Sequence, residues 1–188
     1  MTTAIDSQAI TSTVEGARPM AVQQLGNERT RAYTDGPDLV MERIFDAPRE
    51  LVWKVMNDPG QVTNWWGPRG HSATVEAMDL RVGGRWRWVG HTPDGRDVPF
   101  TGEYLEVDPP SKLVYTEIFD VPPFNEPGSA AINTITYEDL GTQTKVVARS
   151  RFPSIESLEG ALSTGMIGGA LDAYDRLGEL ITAEAARR

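Results

Sequence analysis

The chain has no cysteine, which excludes a disulfide framework, a thiolate nucleophile and any sulfur-built zinc site. Histidine is scarce as well. His71 and His91 are the only two, too few for a histidine-rich metal centre. Carboxylate-only magnesium or calcium sites stay open, but no spaced acidic loop of the EF-hand kind occurs, and no metal or other cofactor is expected. Positive charge is in deficit, with 18 Lys and Arg against 27 Asp and Glu and a formal net charge of -9. Phosphate recognition needs a basic footprint, so nucleic acid is not an expected partner, and attachment to an anionic membrane is disfavoured for the same reason. No run approaches the ~18 apolar residues of a membrane-crossing helix. The first 36 residues lack the basic start and apolar stretch of a secretory leader, so the expected location is cytoplasmic. A phosphate loop, a dinucleotide fingerprint, a nucleophile elbow and a paired-carboxylate constellation are also missing.

What is present suits one domain: 188 residues, 39% of them hydrophobic, enough for a real core. Residues 1–36 are rich in Thr, Ser, Ala, Gln and Gly and show no period. They read as a partly disordered N-terminal extension with a short helical turn around Met20–Leu25, leaving residues 37–188 as the domain. Leu39–Phe45 reads as a strand. Asp46-Ala47-Pro48 then starts a helix through Leu51, Val52 and Val55 to Met56. Asn57-Asp58-Pro59-Gly60 breaks it, and Asp58 caps a second short helix that ends near Trp65-Trp66-Gly67-Pro68.

From Ser72 to Phe152 the pattern changes to strands separated by turns. His71–Leu80 and Arg85–Gly90 flank the Gly83-Gly84 turn signal, and Val98–Val107, Leu113–Phe119, Ala131–Glu138 and Thr144–Phe152 follow. With the first strand these make seven. Ser154 is placed to cap one long helix from Ile155 to about Ala185, with Leu158, Leu162, Met166, Ala170, Ala173, Leu177 and Ile181 along one face. Gly165, Gly168 and Gly169 inside it cost roughly 1 kcal/mol each against alanine, so close packing, a bend, or room for something else is expected there. The order implies an α+β fold: a strongly bent seven-stranded antiparallel sheet around a long C-terminal helix, with two short helices after the first strand. A sheet and a single helix cannot meet along their whole length, so an apolar cavity is expected between them.

Several blocks carry a resemblance. Phe45-Asp46-Ala47-Pro48 with Leu51-Val52-Trp53, Trp65-Trp66-Gly67-Pro68, and Asp79-Leu80-Arg81-Val82-Gly83-Gly84 resemble the homologues of the activator of the heat-shock-protein-90 ATPase. Gly102 to Pro110 with Leu113-Val114-Tyr115-Thr116, then Thr144-Lys145-Val146 and Asp175-Arg176-Leu177, continue the match over about residues 38–184. This branch belongs to the START-like, or SRPBCC, superfamily. The resemblance implies the helix-grip (START/Bet v-like) fold and a ligand cavity, but no single activity, because relatives include carriers, cyclases and the chaperone activator. Two departures stand out. Relatives usually carry a Gly-Trp pair where this chain has Gly169 and Ala170, which should enlarge the cavity. They also commonly place Phe where it has His71.

The candidate ligand-binding residues follow from alternation and from these departures. His71 would stand at the cavity mouth, able to donate to a ligand oxygen or act as a base. Tyr174 lies on the apolar face of the last helix, near Met166 and Ala170. Asn133, Tyr137 and Ser150 should face inward from neighbouring strands, joined by Tyr115. Trp86 and Trp88 share one strand face. Of Trp65 and Trp66, one should line the entrance and the other pack on the surface. The expected partner is a small hydrophobic or aromatic ligand. A cyclase- or isomerase-type enzyme using the same cavity and a chaperone-associated interaction module are the alternatives, and oligomeric state is left open.

Overall fold

A computed structural model describes residues 22–187. Its elements are β1 (Arg31–Asp35), β2 (Asp38–Phe45), α1 (Arg49–Asn57), α2 (Pro59–Trp65), β3 (Ser72–Met78) and β4 (Arg85–His91). They continue as β5 (Asp97–Asp108), β6 (Lys112–Phe119), β7 (Ala131–Asp139), β8 (Thr144–Arg151), α3 (Ile155–Ser163) and α4 (Met166–Ala186). The strands form one antiparallel sheet in the order β1-β2-β8-β7-β6-β5-β4-β3. The α1–α2 excursion sends the chain from β2 to the far edge at β3. A meander then returns it strand by strand until β8 pairs with β2. This is the expected helix-grip α+β fold, with eight strands rather than seven.

The extra strand is β1, within the stretch read as an extension, so the sheet begins before residue 37. It pairs with β2 across a Gly36-Pro37 turn, Asp35 opposite Asp38 and Ala32 opposite Met41. Only small side chains, Ala32 and Thr34, are buried from it, while Arg31 and Asp35 face water. A short polar edge strand of this kind leaves no hydrophobic period to read. The turn of helix expected around Met20–Leu25 is absent from its described part. Gln23 and Leu25 bond to Thr34 and Ala32 instead, extending the hairpin; Met20 and Ala21 lie outside the described residues.

The expected single long helix is two. At Gly165 the backbone takes φ 82°, a left-handed conformation that suits glycine, and α3 ends there as α4 begins. The capping readings hold: Asp58 Oδ1 accepts from Gly60 N at 2.8 Å and Ser154 Oγ from Ser157 N at 3.2 Å.

The C-terminal half of α4 is clamped to the rest of the fold. Arg43 on β2 donates to Asp175 at 2.6 Å and to Thr30 at 3.2 Å. A Cβ at position 178 would lie 2.5 Å from that guanidinium, so Gly178 makes room for it. Arg176 donates to the carbonyls of Asn64 (2.9 Å), Gly67 (3.0 Å) and Pro68 (3.2 Å), holding the turn after α2. Leu177 and Ile181, fully buried, fill the core with Phe45, Leu51, Val52, Val55, Val62 and Val146.

Candidate functional site

The concave face of the sheet beneath the N-terminal half of α4 gathers the residues with unspent chemistry. Alternation along β6 turns Leu113, Tyr115, Glu117 and Phe119 to that face. Tyr115, Asn133 and Ser150 stand opposite one another on β6, β7 and β8, in one row across the sheet. The Ser150 hydroxyl donates to Asn133 Oδ1, which leaves Asn133 Nδ2 buried with no partner among the described residues. Trp88 Nε1 is in the same position. A buried donor left unpaired costs about 1–3 kcal/mol, so each is a place where a ligand atom would be welcome.

Aromatic rings form a continuous wall to this row. From Phe124, on the exposed β6–β7 loop, ring contacts run through Phe119 (5.6 Å), Phe100 (5.3 Å), Trp66 (5.5 Å), Trp88 (5.7 Å), Trp86 (5.1 Å) and Tyr115 (5.6 Å). Glycine permits this stacking. A Cβ at Gly102 would sit 1.7 Å from Thr116 O and 2.6 Å from Trp86 Nε1. Without one, the indole folds across β5 and donates to that carbonyl at 3.2 Å.

Glu117 is the residue that the reading from sequence missed. Its side chain makes no hydrogen bond or ion pair among the described residues, and burial alone pushes its carboxyl up to about 7. Beside it, the Tyr115 phenol is held well above its usual range, first by burial and then by Glu117 and the phenols of Tyr174, Tyr137 and Tyr104. Burial also raises Tyr174, against the opposing pull of Arg43. The signal was available, since Leu113 and Tyr115 inward place Glu117 inward too. Tyr104 and Phe100 follow from the same alternation on β5.

These groups lie deep among protein atoms, yet several are not sealed. Trp88, Phe100, Tyr115 and Glu117 keep accessible surface, as do Ile167, Ala170 and Leu171 on the facing helix. In a close-packed interface they would be covered. The enclosed apolar cavity expected between sheet and helix, however, is not seen as a well-formed pocket there among the described residues. Two open depressions lie elsewhere, one over β2 and the C-terminal half of α4, the other over the segment before β1, β1, β2 and Lys145 of β8. The larger, about 590 Å³, is an open groove lined by Arg29, Arg43, Asp46 and Glu179, among others.

Most of the residues picked from the sequence meet on the concave face: Trp66, Trp86, Trp88, Tyr115, Asn133, Ser150, Ala170 and Tyr174. Tyr137 closes its inner end, receiving a bond from Asn57 at 3.2 Å and the edge of Trp53 at 5.0 Å. His71 follows the Pro68 turn ahead of β3, partly buried and with no side-chain hydrogen bond among the described residues. Met166 opens α4 and is not part of the buried core; Ile167 and Leu171 pack there instead. Trp65 is a correction. It is neither at the entrance nor on the surface but 6% exposed in the core, its Nε1 donating to Val55 O at 3.2 Å. Because α2 folds back onto α1, its two adjacent tryptophans divide between the core and the concave face.

The family model described as Activator of Hsp90 ATPase homolog 1-like protein matches residues 46–182. The chain belongs to this family. Solved structures agree with the fold. A crystal structure of a Mycobacterium smegmatis protein is 28% identical with a TM-score of 0.72, covering 85% of this chain and 96% of that one. A solution structure of an Arthrobacter aurescens protein is 22% identical with a TM-score of 0.75, covering 88% and 92%. A Nitrosomonas europaea protein is 25% identical with a TM-score of 0.67, covering 79% and 96%. No curated protein matches the chain. This Activator of Hsp90 ATPase homolog 1-like chain therefore has a fold that commonly binds hydrophobic ligands. No described helix is long and apolar enough to cross a membrane. No group of three or more metal-ligating side chains occurs among the described residues.

Proposed function

We propose that the protein binds one small, largely aromatic molecule on the concave face beneath the N-terminal half of α4. One observation carries this reading: an unbroken aromatic wall stands, incompletely covered, beside buried polar groups that have no partner among the described residues. Burial of apolar ligand surface supplies affinity at ~25 cal/mol per Å². The few polar groups in an apolar site set orientation, here Asn133 Nδ2 and the Tyr115 hydroxyl. Ala170 leaves the helix side of the site low, where a larger side chain would close it against the sheet.

Native mass spectrometry of the freshly purified protein tests the reading, followed by titration of the delipidated protein with the neutral fluorophore 1-N-phenylnaphthylamine. The expected results are a co-purifying small molecule, saturable binding at one site, and energy transfer from tryptophan. Bare protein that takes up the fluorophore weakly and without saturation would refute it.

A further inference from the structure

We infer that the ligand site selects a cation: an aromatic or apolar molecule bearing a primary amine, whose ammonium group pairs with Glu117 inside the aromatic wall. The inference rests on the proposed ligand site and specifies the chemistry of its occupant. Glu117 is the only carboxylate that alternation turns to the concave face of β6. Arg43, the buried guanidinium of the neighbouring core, is already committed to Asp175 and Thr30. A partly buried carboxyl with no cation beside it among the described residues gains more from an arriving ammonium than from any neutral group, because charge-assisted hydrogen bonds are roughly twice as strong as neutral ones.

The surroundings suit the same guest. Tyr115 and Trp88, both only partly buried, offer the ring faces that attract ammonium ions, backed by the buried Trp86. The chain's net charge of -9 draws cations towards the protein from a distance. The other titratable groups about the site compete little. Tyr115 on β6, Tyr104 on β5, Tyr137 on β7 and Tyr174 on α4 are all pushed upward and stay neutral near pH 7. His71 precedes β3, three strands away from β6 in the sheet.

A matched pair of probes, 1-naphthylmethylamine and its neutral isostere 1-ethylnaphthalene, tests this by calorimetric titration of wild type and Glu117→Gln. At about pH 7.5 wild type should bind the amine about tenfold or more tighter than Glu117→Gln does, with the isostere bound equally by both. The amine's affinity for wild type should fall severalfold towards pH 5.5 as the carboxyl takes its proton. That fall should persist in His71→Gln and vanish in Glu117→Gln. Equal amine affinity in wild type and Glu117→Gln would overturn the inference alone, provided the isostere still binds. Failure of both probes to bind wild type would overturn the ligand site itself, and this inference with it.

Discussion

The two halves of helix α4 face the same sheet and are packed in opposite ways. Towards its C-terminus the helix is sealed: Leu177 and Ile181 are fully buried, Asp175 is bound to Arg43, and Arg176 is bound to the turn after α2. Towards its N-terminus it is preceded by a break at Gly165 and presents Ile167, Ala170 and Leu171, none fully covered, to an aromatic wall with polar groups unpaired among the described residues. One element therefore performs two tasks. The clamped half supplies the stability that lets the other half stay loosely filled, as a site for an exchangeable guest requires.

Truncations on the helix should separate the halves most sharply. Leu177→Ala should cost about 2–5 kcal/mol, whereas Leu171→Ala should cost under about 1 kcal/mol because that side chain is only partly buried. Chemical denaturation of the two variants checks this, and equal costs would abolish the distinction.

Glu117→Gln should give the next largest effect, and it should depend on pH. The folded carboxyl titrates near 7 against 4.5 for the ordinary group, so its contribution is intact below about 4.5 and is lost as pH rises through 7. Glu117→Gln should thus match wild type at pH 4.5 and be more stable by up to ~3 kcal/mol at pH 8. Thermal unfolding across that range measures it, and a constant difference would show that the side chain is solvated.

A chain starting at Pro37 loses β1, the buried Ala32 and the Thr30 bond to Arg43. It should be destabilised by ~2 kcal/mol, mostly through loss of that packing and of one bond to a charged group. An unchanged melting temperature would mean that the edge strand contributes nothing to the clamp.

Ala170→Trp should move stability least. An indole placed over open space adds contacts, whereas overpacking a filled site costs ~1–3 kcal/mol. We expect a change within ~1 kcal/mol, together with about a tenfold loss of 1-N-phenylnaphthylamine affinity. Destabilisation with probe binding intact would place the open region elsewhere.

Where a segment's own pattern decided its structure, the fold was legible. Capping by Asp58 and Ser154, the strand alternation and the family blocks gave the architecture and most of the concave-face residues. What stayed hidden depends on partners distant in sequence. β1 buries only Ala32 and Thr34, so its place follows from pairing with β2 rather than from any hydrophobic period. The break at Gly165 was among the outcomes that the glycine cluster allowed, but glycine composition alone does not distinguish a bend from close packing. Trp65 and Trp66 are neighbours with the same side chain. Only the fold of α2 back on α1 decides which is core. Glu117 was legible by alternation, yet a lone glutamate in a strand carries no motif.

The indole N–H resonances of the five tryptophans provide the most direct test, since Trp65 belongs to the sealed half and the partly buried Trp66 and Trp88 to the open one. In a 15N-labelled sample titrated with 1-N-phenylnaphthylamine, the Trp88 and Trp66 signals should shift with a common dissociation constant. The Trp65 signal, held by Val55 O, should stay in place. A titration that moves Trp65 alone, or shifts no indole while the probe binds, would contradict a ligand site beneath the N-terminal half of α4.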